Sequence, residues 1–353
     1  MTNKQPINEH TESIDISQLE TAGLSQGQIV YKRFTQHKLA VASVFMLIAI
    51  VVIAFTSVGF SAFGFTFPGW WQWPWATLPP NPVMVNGGEP TFTLWPFAIG
   101  DHPFGQDSIR RDMFALIMRG LQQSIIVMFL TGFLATLIGI VIGAVSGYFR
   151  GWTDTLLMRF TEVIIIIPIL IIGAVLGQMV GGGGAVAIGT MIGLFSWPAM
   201  ARLVRAEFLG LREREFVDAA RVAGAGNGRI IFRHILPNTV GTIIVNTTLL
   251  MSAAVLLETS LSFLGFGILS PDVSLGSLIS TYQGAFQTRP WLFWIPGVLI
   301  VLLTLCINFI GDGLRDAFDP RQRRMPDDNG PWKQLWRFIT RQQVQSKYVR
   351  GGQ

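Results

Sequence analysis

Residues 213–237 carry the chain's densest concentration of side chains suited to recognising another molecule. Glu213 and Glu215 open the stretch and Arg221 lies near the end of its first half, a charge order that suits the dipole of a short helix. Gly224 can take the left-handed conformation that closes such a helix. Asn227 is placed to cap a second one, and Pro237 to stop it before the next apolar run. Phe216, Val217 and Ala220 fall on one face, while Ala219, Ala220 and Ala223 keep the profile low. A low helix pair of this kind is a surface that a groove on another protein can grip. A helix, a glycine turn and a second helix also outline a DNA-reading unit. A plainer role for so basic a loop is contact with lipid headgroups.

Bond-making chemistry has no comparable support. The sequence lacks a Gly-x-x-x-x-Gly-Lys-Ser/Thr phosphate loop, and the run Gly181–Gly184 has no lysine after it. It also lacks a Gly-x-Ser-x-Gly elbow and a His-Glu-x-x-His metal site. The single cysteine, Cys306, sits in an apolar run, so no disulfide or cysteine metal framework can form within the chain. The expectation is a non-catalytic protein that itself binds no cofactor and no metal.

The elements that must position the 213–237 loop are apolar. Half the residues are hydrophobic, only 13% are charged, and the mean hydropathy is +0.47. A soluble domain carries about 25% charged residues, so the expectation is an all-α, polytopic membrane protein. Six stretches approach the roughly 20 apolar residues a spanning helix needs: 39–60, 121–148, 157–179, 185–204, 240–266 and 291–310. Residues 1–38 read as a polar cytosolic tail without apolar periodicity, and the first span as a retained anchor. Residues 61–118, with Trp70, Trp71, Trp73, Trp75 and Trp95 among prolines, read as an extracytoplasmic loop resting on the bilayer, the tryptophans at 70–75 forming an aromatic belt or, alternatively, a docking surface for a partner. The core is 119–313, with a tight reversal at Gly181–Gly184 and an inner loop at 205–238. A basic cytosolic tail occupies 314–353.

Charge fixes the expected orientation. With both termini inside, the outer segments hold only Arg110, Arg111, Arg119 and Arg289, and every other Lys or Arg falls inside. That distribution explains the pI of about 9.7 without nucleic acid, and spans abutting the loop on both sides argue against DNA reading. Within the spans, Glu258 is a pathway or gating candidate because an intramembrane acid is a functional candidate by default. A bond between helices is its bland alternative. Asn246, Thr247 and Met251 are the companion pathway candidates. Glu162 reads as an interfacial contact and His234 as a packing or capping residue. Gly139, Gly143, Gly173 and Gly193 permit close helix contact.

Asp218-Ala219-Ala220, three residues, Gly224, nine residues and then His234-Ile235-Leu236-Pro237 resembles the cytosolic loop of ATP-binding-cassette (ABC) import permeases. That pattern runs Glu-Ala-Ala, three residues, Gly, nine residues, Ile-x-Leu-Pro, so Asp218 and His234 depart from it. The His-Ile-Leu-Pro ending is one often shown by the peptide-importing branch. His102 through Asp107 and Arg111-Asp112 resembles the segment before the second span in C-type dipeptide and oligopeptide permeases. The usual Gly-Thr-Asp and Gly-Arg-Asp are broken there by Gln106 and Arg110. Gly147-Tyr148 to Arg159, Glu162, Pro168 and Glu258 to Gly267 extend the likeness over roughly 100–324.

The resemblance implies the MetI-like permease fold of type I ABC importers in a bacterial inner membrane. It implies a homologous second permease, two ABC ATPase subunits carrying Mg-ATP, and an extracytoplasmic solute-binding protein. Glu215, Asp218, Ala219, Ala220, Gly224, His234 and Pro237 would belong to the ATPase-coupling loop. The implied cargo is a peptide, with nickel or another small nutrient as the rival. A secondary transporter working without ATP would instead show inverted repeats and paired broken helices, and the sequence displays neither.

Overall fold

The computed structural model describes residues 26–62, 65–77, 83–93, 98–180 and 183–319. The expectations for residues 1–25, Trp95, Gly181 and the tail from 320 onward lie outside the described residues. The chain divides into two compact units, one of residues 1–36 with 316–353 and one of residues 37–315. In the first, α1 (Gln26–Gln36) interrupts what the sequence suggested was an unpatterned tail. Ile29, Val30, Arg33 and Phe34 share its half-buried face, and Arg33 Nη1 donates to the Asp319 carbonyl at 3.0 Å.

The second unit opens with α2 (Lys38–Ser57), whose first turn is capped by His37 Nδ1 accepting from Ala40 N at 3.1 Å. A small antiparallel hairpin follows, β1 (Phe60–Ala62) and β2 (Phe65–Phe67), with the Phe60 and Phe67 rings stacked at 4.9 Å. These two short strands are the exception to an otherwise helical architecture among the described residues.

The central element is α3 (Met113–Phe149), 37 residues and so about 55 Å long. It begins six residues before the sequence placed the core, because Asp112 caps it there by accepting from Ala115 N at 2.8 Å. Around it pack α2, α4 (Gly151–Ile166), α6 (Gly184–Ser196), α7 (Pro198–Arg212), α9 (Asn227–Phe263) and α10 (Leu275–Tyr282). The remaining helices are α5 (Ile169–Val180), α8 (Glu215–Val222) and α11 (Trp291–Phe318). The largest apolar cluster joins Met113, Leu116, Ile117 and Leu121 of α3 to Val255, Leu275, Leu278, Leu303 and Ile307 of α9, α10 and α11.

Among the described residues four helices, α2, α3, α9 and α11, are long and apolar enough to cross a membrane alone. The pairs α4–α5 and α6–α7 reach that length only together, giving six spans when each pair is counted as one. Both pairs are bent, by 77° and 42°. Pro168 and Pro198 stand at the two breaks, since proline clashes with the preceding turn and removes a donor. Broken helices, unseen in the sequence, are therefore present. Pro237 behaves differently from expectation. It does not stop a helix but lies inside α9, just after a π-helical stretch, Ile230–Ile235. There the Leu236 N–H reaches back five residues to the Ile231 carbonyl, so the register shifts before the proline and the helix continues.

The contact of α3 with α7 rests on glycines four residues apart. A Cβ on Gly139 would meet Met200 Cβ at 2.6 Å, one on Gly143 the Ala201 carbonyl oxygen at 2.5 Å, and one on Gly147 Phe208 Cβ at 2.7 Å. Gly193 approaches Leu134 on α3 and Gly173 approaches Leu261 on α9 in the same way. At Gly143 the obstacle is backbone, which cannot rotate aside. Gly143→Val is expected to destabilise the protein by about 2 kcal/mol or more, read as a lowered melting temperature in detergent. Gly210→Ala, where a Cβ meets nothing within 4 Å and the position is helical, is the control that should not lower the melting temperature.

Candidate functional site: a clamped docking helix

The non-helical part of the 205–238 loop is short, because α7 runs to Arg212 and α9 starts at Asn227. Between them stands α8. Ala225 N donates to the Ala220 carbonyl at 3.0 Å and Gly224 N to that of Arg221 at 2.9 Å, and Gly224 takes φ +79°. This is the glycine-closed terminus anticipated from sequence. Asn227 does not cap the next helix, which Gly226 precedes. Instead the Asn227 Oδ1 accepts from the Tyr148 hydroxyl at 2.9 Å.

One side of α8 is fastened down. Val217 is fully buried in a cluster with Tyr148 of α3, Phe208 of α7 and Ile230, Ile231 and Ile235 of α9, and Ala220 packs on it. The opposite side is open. Phe216 is 40% exposed, Val222 is 91% exposed, and Ala219 and Ala223 lie exposed beside them. Phe216 is thus not on the Val217–Ala220 face expected for it, because its neighbour takes the single inward position. Asp218 accepts from Arg221 Nη1 at 2.8 Å, and both are exposed, as are Glu215 and Gly224. His234 is half-buried and its carbonyl accepts from Asn238 Nδ2 at 2.6 Å; Pro237 is exposed.

Ion pairs brace the helices behind α8. Arg205 on α7 grips Asp154 on α4 through Nε at 2.6 Å and Nη2 at 2.7 Å, and the Ser146 hydroxyl on α3 donates to the same carboxylate. Arg150 donates to Glu213 at 2.6 Å, and this contact lowers the Glu213 carboxyl below its usual range. The Arg212 guanidinium lies 5.6 Å from the centre of the Tyr148 ring. Sequence reading did not pair Arg205 with Asp154. The available signal was one opposite charge on each of two amphipathic helix ends expected on the same side. Arg159 and Glu162 pair at the surface at 2.9 Å.

Three of the four intramembrane candidates, Glu258, Thr247 and Met251, meet another helix. Glu258 is fully enclosed, accepting from Ser262 Oγ at 2.7 Å and from Ser124 Oγ of α3 at 3.1 Å. Thr247 meets Thr136 of α3 at 2.9 Å, Met251 lies against Gly132, and Asn246 Nδ2 donates to the Thr242 carbonyl of its own helix at 2.9 Å. Among the described residues no group of three or more His, Cys, Asp or Glu stands close enough to hold a metal.

At the far end of α3 a second polar assembly fixes the tryptophan segment. Asp112 accepts from Trp71 Nε1 at 2.8 Å and lies 2.7 Å from His102 Nδ1, and Trp73 stacks on His102 at 4.8 Å. Burial pushes the Asp112 carboxyl above its ordinary range, against the bonds from His102, Ala115 N and Trp71. Trp75 lies under the Arg119 guanidinium at 4.5 Å. Arg119 in turn pairs bidentately with Asp272 at 2.7 and 2.8 Å. Trp71, Trp73 and Trp75 therefore pack on the protein, where polar partners take up their rings, while Trp70 is 62% exposed.

Long apolar helices and two broken pairs define a multi-pass membrane protein, with one clamped helix left open on one side. Residues 139–324 match the family of binding-protein-dependent transport system inner membrane components. Residues 25–76 match the N-terminal transmembrane domain of oligopeptide transport permease C. The oligopeptide transport system permease protein OppC of Mycobacterium tuberculosis is 33% identical over 302 residues, 85% of this chain and 97% of that one. OppC of Haemophilus influenzae is 34% identical over 325 residues, 90% of this chain and 98% of that one. A Brucella ovis protein named as a candidate peptide permease is 40% identical over 251 residues, 70% of this chain and 80% of that one. The MetNI methionine ABC transporter, solved in inward-facing conformations, is 21% identical with a TM-score of 0.49, covering 59% of this chain and 98% of that one. That structural likeness is too distant to carry an argument. The chain belongs to the binding-protein-dependent transport system inner membrane components, and as such is a non-catalytic permease of an ABC importer.

Asp112 joins a helix cap to two side chains of the preceding segment. Asp112→Ala is expected to lower stability by about 3 kcal/mol, from the lost cap and the orphaned Trp71 donor. Trp71 fluorescence should shift to the red at the same time, in the purified protein in detergent.

Proposed function

We propose that this chain forms half of the pathway of a peptide importer, paired with a homologous second permease and driven by two ATPase subunits that carry Mg-ATP. An extracytoplasmic solute-binding protein delivers the cargo, and this chain holds no cofactor of its own. Both termini lie in the cytosol, in keeping with the four outer arginines, Arg110, Arg111, Arg119 and Arg289, against the basic remainder. Peptide cargo is supported by the oligopeptide permease names of the Mycobacterium and Haemophilus relatives.

The observation that carries the reading is the two-sided character of α8. Phe216, Ala219 and Val222 offer a partner a low apolar face, while Val217 ties the helix into α3, α7 and α9 at once. A groove on an ATPase subunit fits the open face, the coupling-loop residues Glu215, Asp218, Gly224, His234 and Pro237 flanking it. Closure of the ATPase pair then displaces α8, and the clamp passes the displacement to three spans together. The breaks at Pro168 and Pro198 are the places where the bundle can bend as it alternates.

Ala219→Arg places a long charged side chain on the open face without touching the core. Reconstituted with its partners in liposomes, this variant is expected to lose peptide uptake by at least about tenfold, as a desolvated contact charge does. Its expression and melting temperature should stay those of the unaltered chain. Uptake that survives the substitution would remove α8 as the coupling element.

A further inference from the structure

The β1–β2 hairpin is pinned to the end of α2. The Trp70 N–H donates to the Thr56 carbonyl at 3.3 Å and the Trp71 N–H to that of Ser57 at 2.8 Å. Gly59, at φ +68°, and Gly69 let the outgoing and returning backbones touch, since a Cβ on either would run into the opposite chain. Gln122 of α3 adds a bond to the Gly59 carbonyl at 2.8 Å. The hairpin is thus a fixed continuation of the span.

Its aromatic face is turned back along α2. Phe60 and Phe67 are register partners with rings stacked at 4.9 Å, and the Phe60 ring meets Phe55 of α2 edge-on at 5.6 Å. Side chains alternate along a strand, so Phe65 shares the side of Phe67 while Thr66 takes the other. Phe65 is 72% exposed, Phe67 55% and Trp70 62%. Trp70 Nε1 donates to Thr56 Oγ1 at 3.2 Å, which holds that ring at the last turn of α2. There it prolongs an exposed stripe of the span, Phe45, Ile48, Val52 and Thr56, spaced three or four residues apart on one side.

Water is a poor neighbour for this surface. Two strands of three residues are marginal on their own, and the Phe65 and Phe67 rings add to their stability only when covered. The chain carries no charged residue from Leu39 to Gly88, so the patch lacks a charged rim of its own to meet a soluble partner. Rings held at the end of a 20-residue apolar helix lie where acyl chains give way to headgroups.

We propose that β1–β2 and Trp70 form an anchor seated in the bilayer interface, with Phe65 and Phe67 inserted beneath the phospholipid headgroups and Thr66 turned to water. The ligand is the lipid surface itself. The anchor goes beyond the importer reading, on which only its assignment to the outer leaflet rests. Trp71, next in the chain, donates to Asp112. The anchor therefore ties the cap of α3 to the membrane surface.

Nitroxide labels at Phe65→Cys, Thr66→Cys and Phe67→Cys test the seating. Each is placed in the full chain with Cys306→Ala, in nanodiscs of phosphatidylethanolamine and phosphatidylglycerol, and read by power-saturation EPR. Collision with oxygen, which concentrates in lipid, is expected to exceed collision with a water-soluble nickel chelate at 65 and 67. The oxygen-to-nickel ratio there should be at least about threefold that at 66, as for an apolar face sunk into the interface. Phe65 makes no buried contact to lose, so its comparison with Thr66 stands even where Phe67→Cys disturbs the stack on Phe60. Nickel collision that dominates at all three positions puts the hairpin in water and overturns the anchor. Labels at 65 and 67 sheltered from both probes overturn it in favour of a protein partner. A membrane-impermeant maleimide should label Thr66→Cys in intact spheroplasts. Labelling only after lysis overturns the outer placement and the importer topology with it, while the collision ratios still decide the seating.

Discussion

Everything in the bundle depends on how closely two backbones can approach where no hydrophobic effect drives them together. Lipid tails are as apolar as leucine side chains, so spanning helices associate through packing and hydrogen bonds. The glycines at 139, 143 and 147 let α3 lie against Met200, Ala201, Arg205 and Phe208 of α7 with almost no intervening side chain. That contact sets where Arg205 points, and hence its two bonds to Asp154. It also brings Tyr148 and Phe208 to the cluster that receives Val217. α8 is therefore positioned by residues outside its own motif.

Polar groups inside the bundle act in the same economy of contacts. Glu258 would be prohibitive in lipid, yet its serine partners include Ser262 of α9 itself and Ser124 of α3. It reads as a rivet between two spans in this conformation. Thr136 and Thr247 form a lighter version of the same bond closer to α8. Bonds like these hold because their groups have no water to turn to.

The sequence made α8 and its glycine terminus legible, because that terminator is local. Gly224 needs φ +79°, and the spacing of alanines and charges around it has few other uses. The spans were legible in number but not in shape. Apolar content reports that a stretch can enter lipid, and it is silent about a 77° bend at Pro168. Pro237 was misread for a related reason. A proline needs a missing donor, and either a helix end or a π turn supplies it; only the register Ile231–Leu236 tells the two apart. The partners of the tryptophans were not legible, because Trp71 and Trp73 find Asp112, Asp101 and His102, which the fold brings to them. Arg110 is instructive in the opposite sense. It departs from the glycine usual at that position in related permeases, and it does so at φ +69°, where glycine carries no steric penalty.

The unbroken length of α3 has a mechanical consequence. A hydrocarbon core is about 30 Å thick, so a 55 Å rod extends well past it, with the Asp112 cap at one tip and Tyr148 at the other. A rod without a hinge converts rotation into travel. Tilting it by about 5° about one tip carries the other roughly 5 Å, close to one turn of helix. With both tips tied into side-chain assemblies, the two faces of the membrane cannot be adjusted independently. A displacement at the Asp112 tip is therefore felt at the Tyr148 tip, where α8 is clamped.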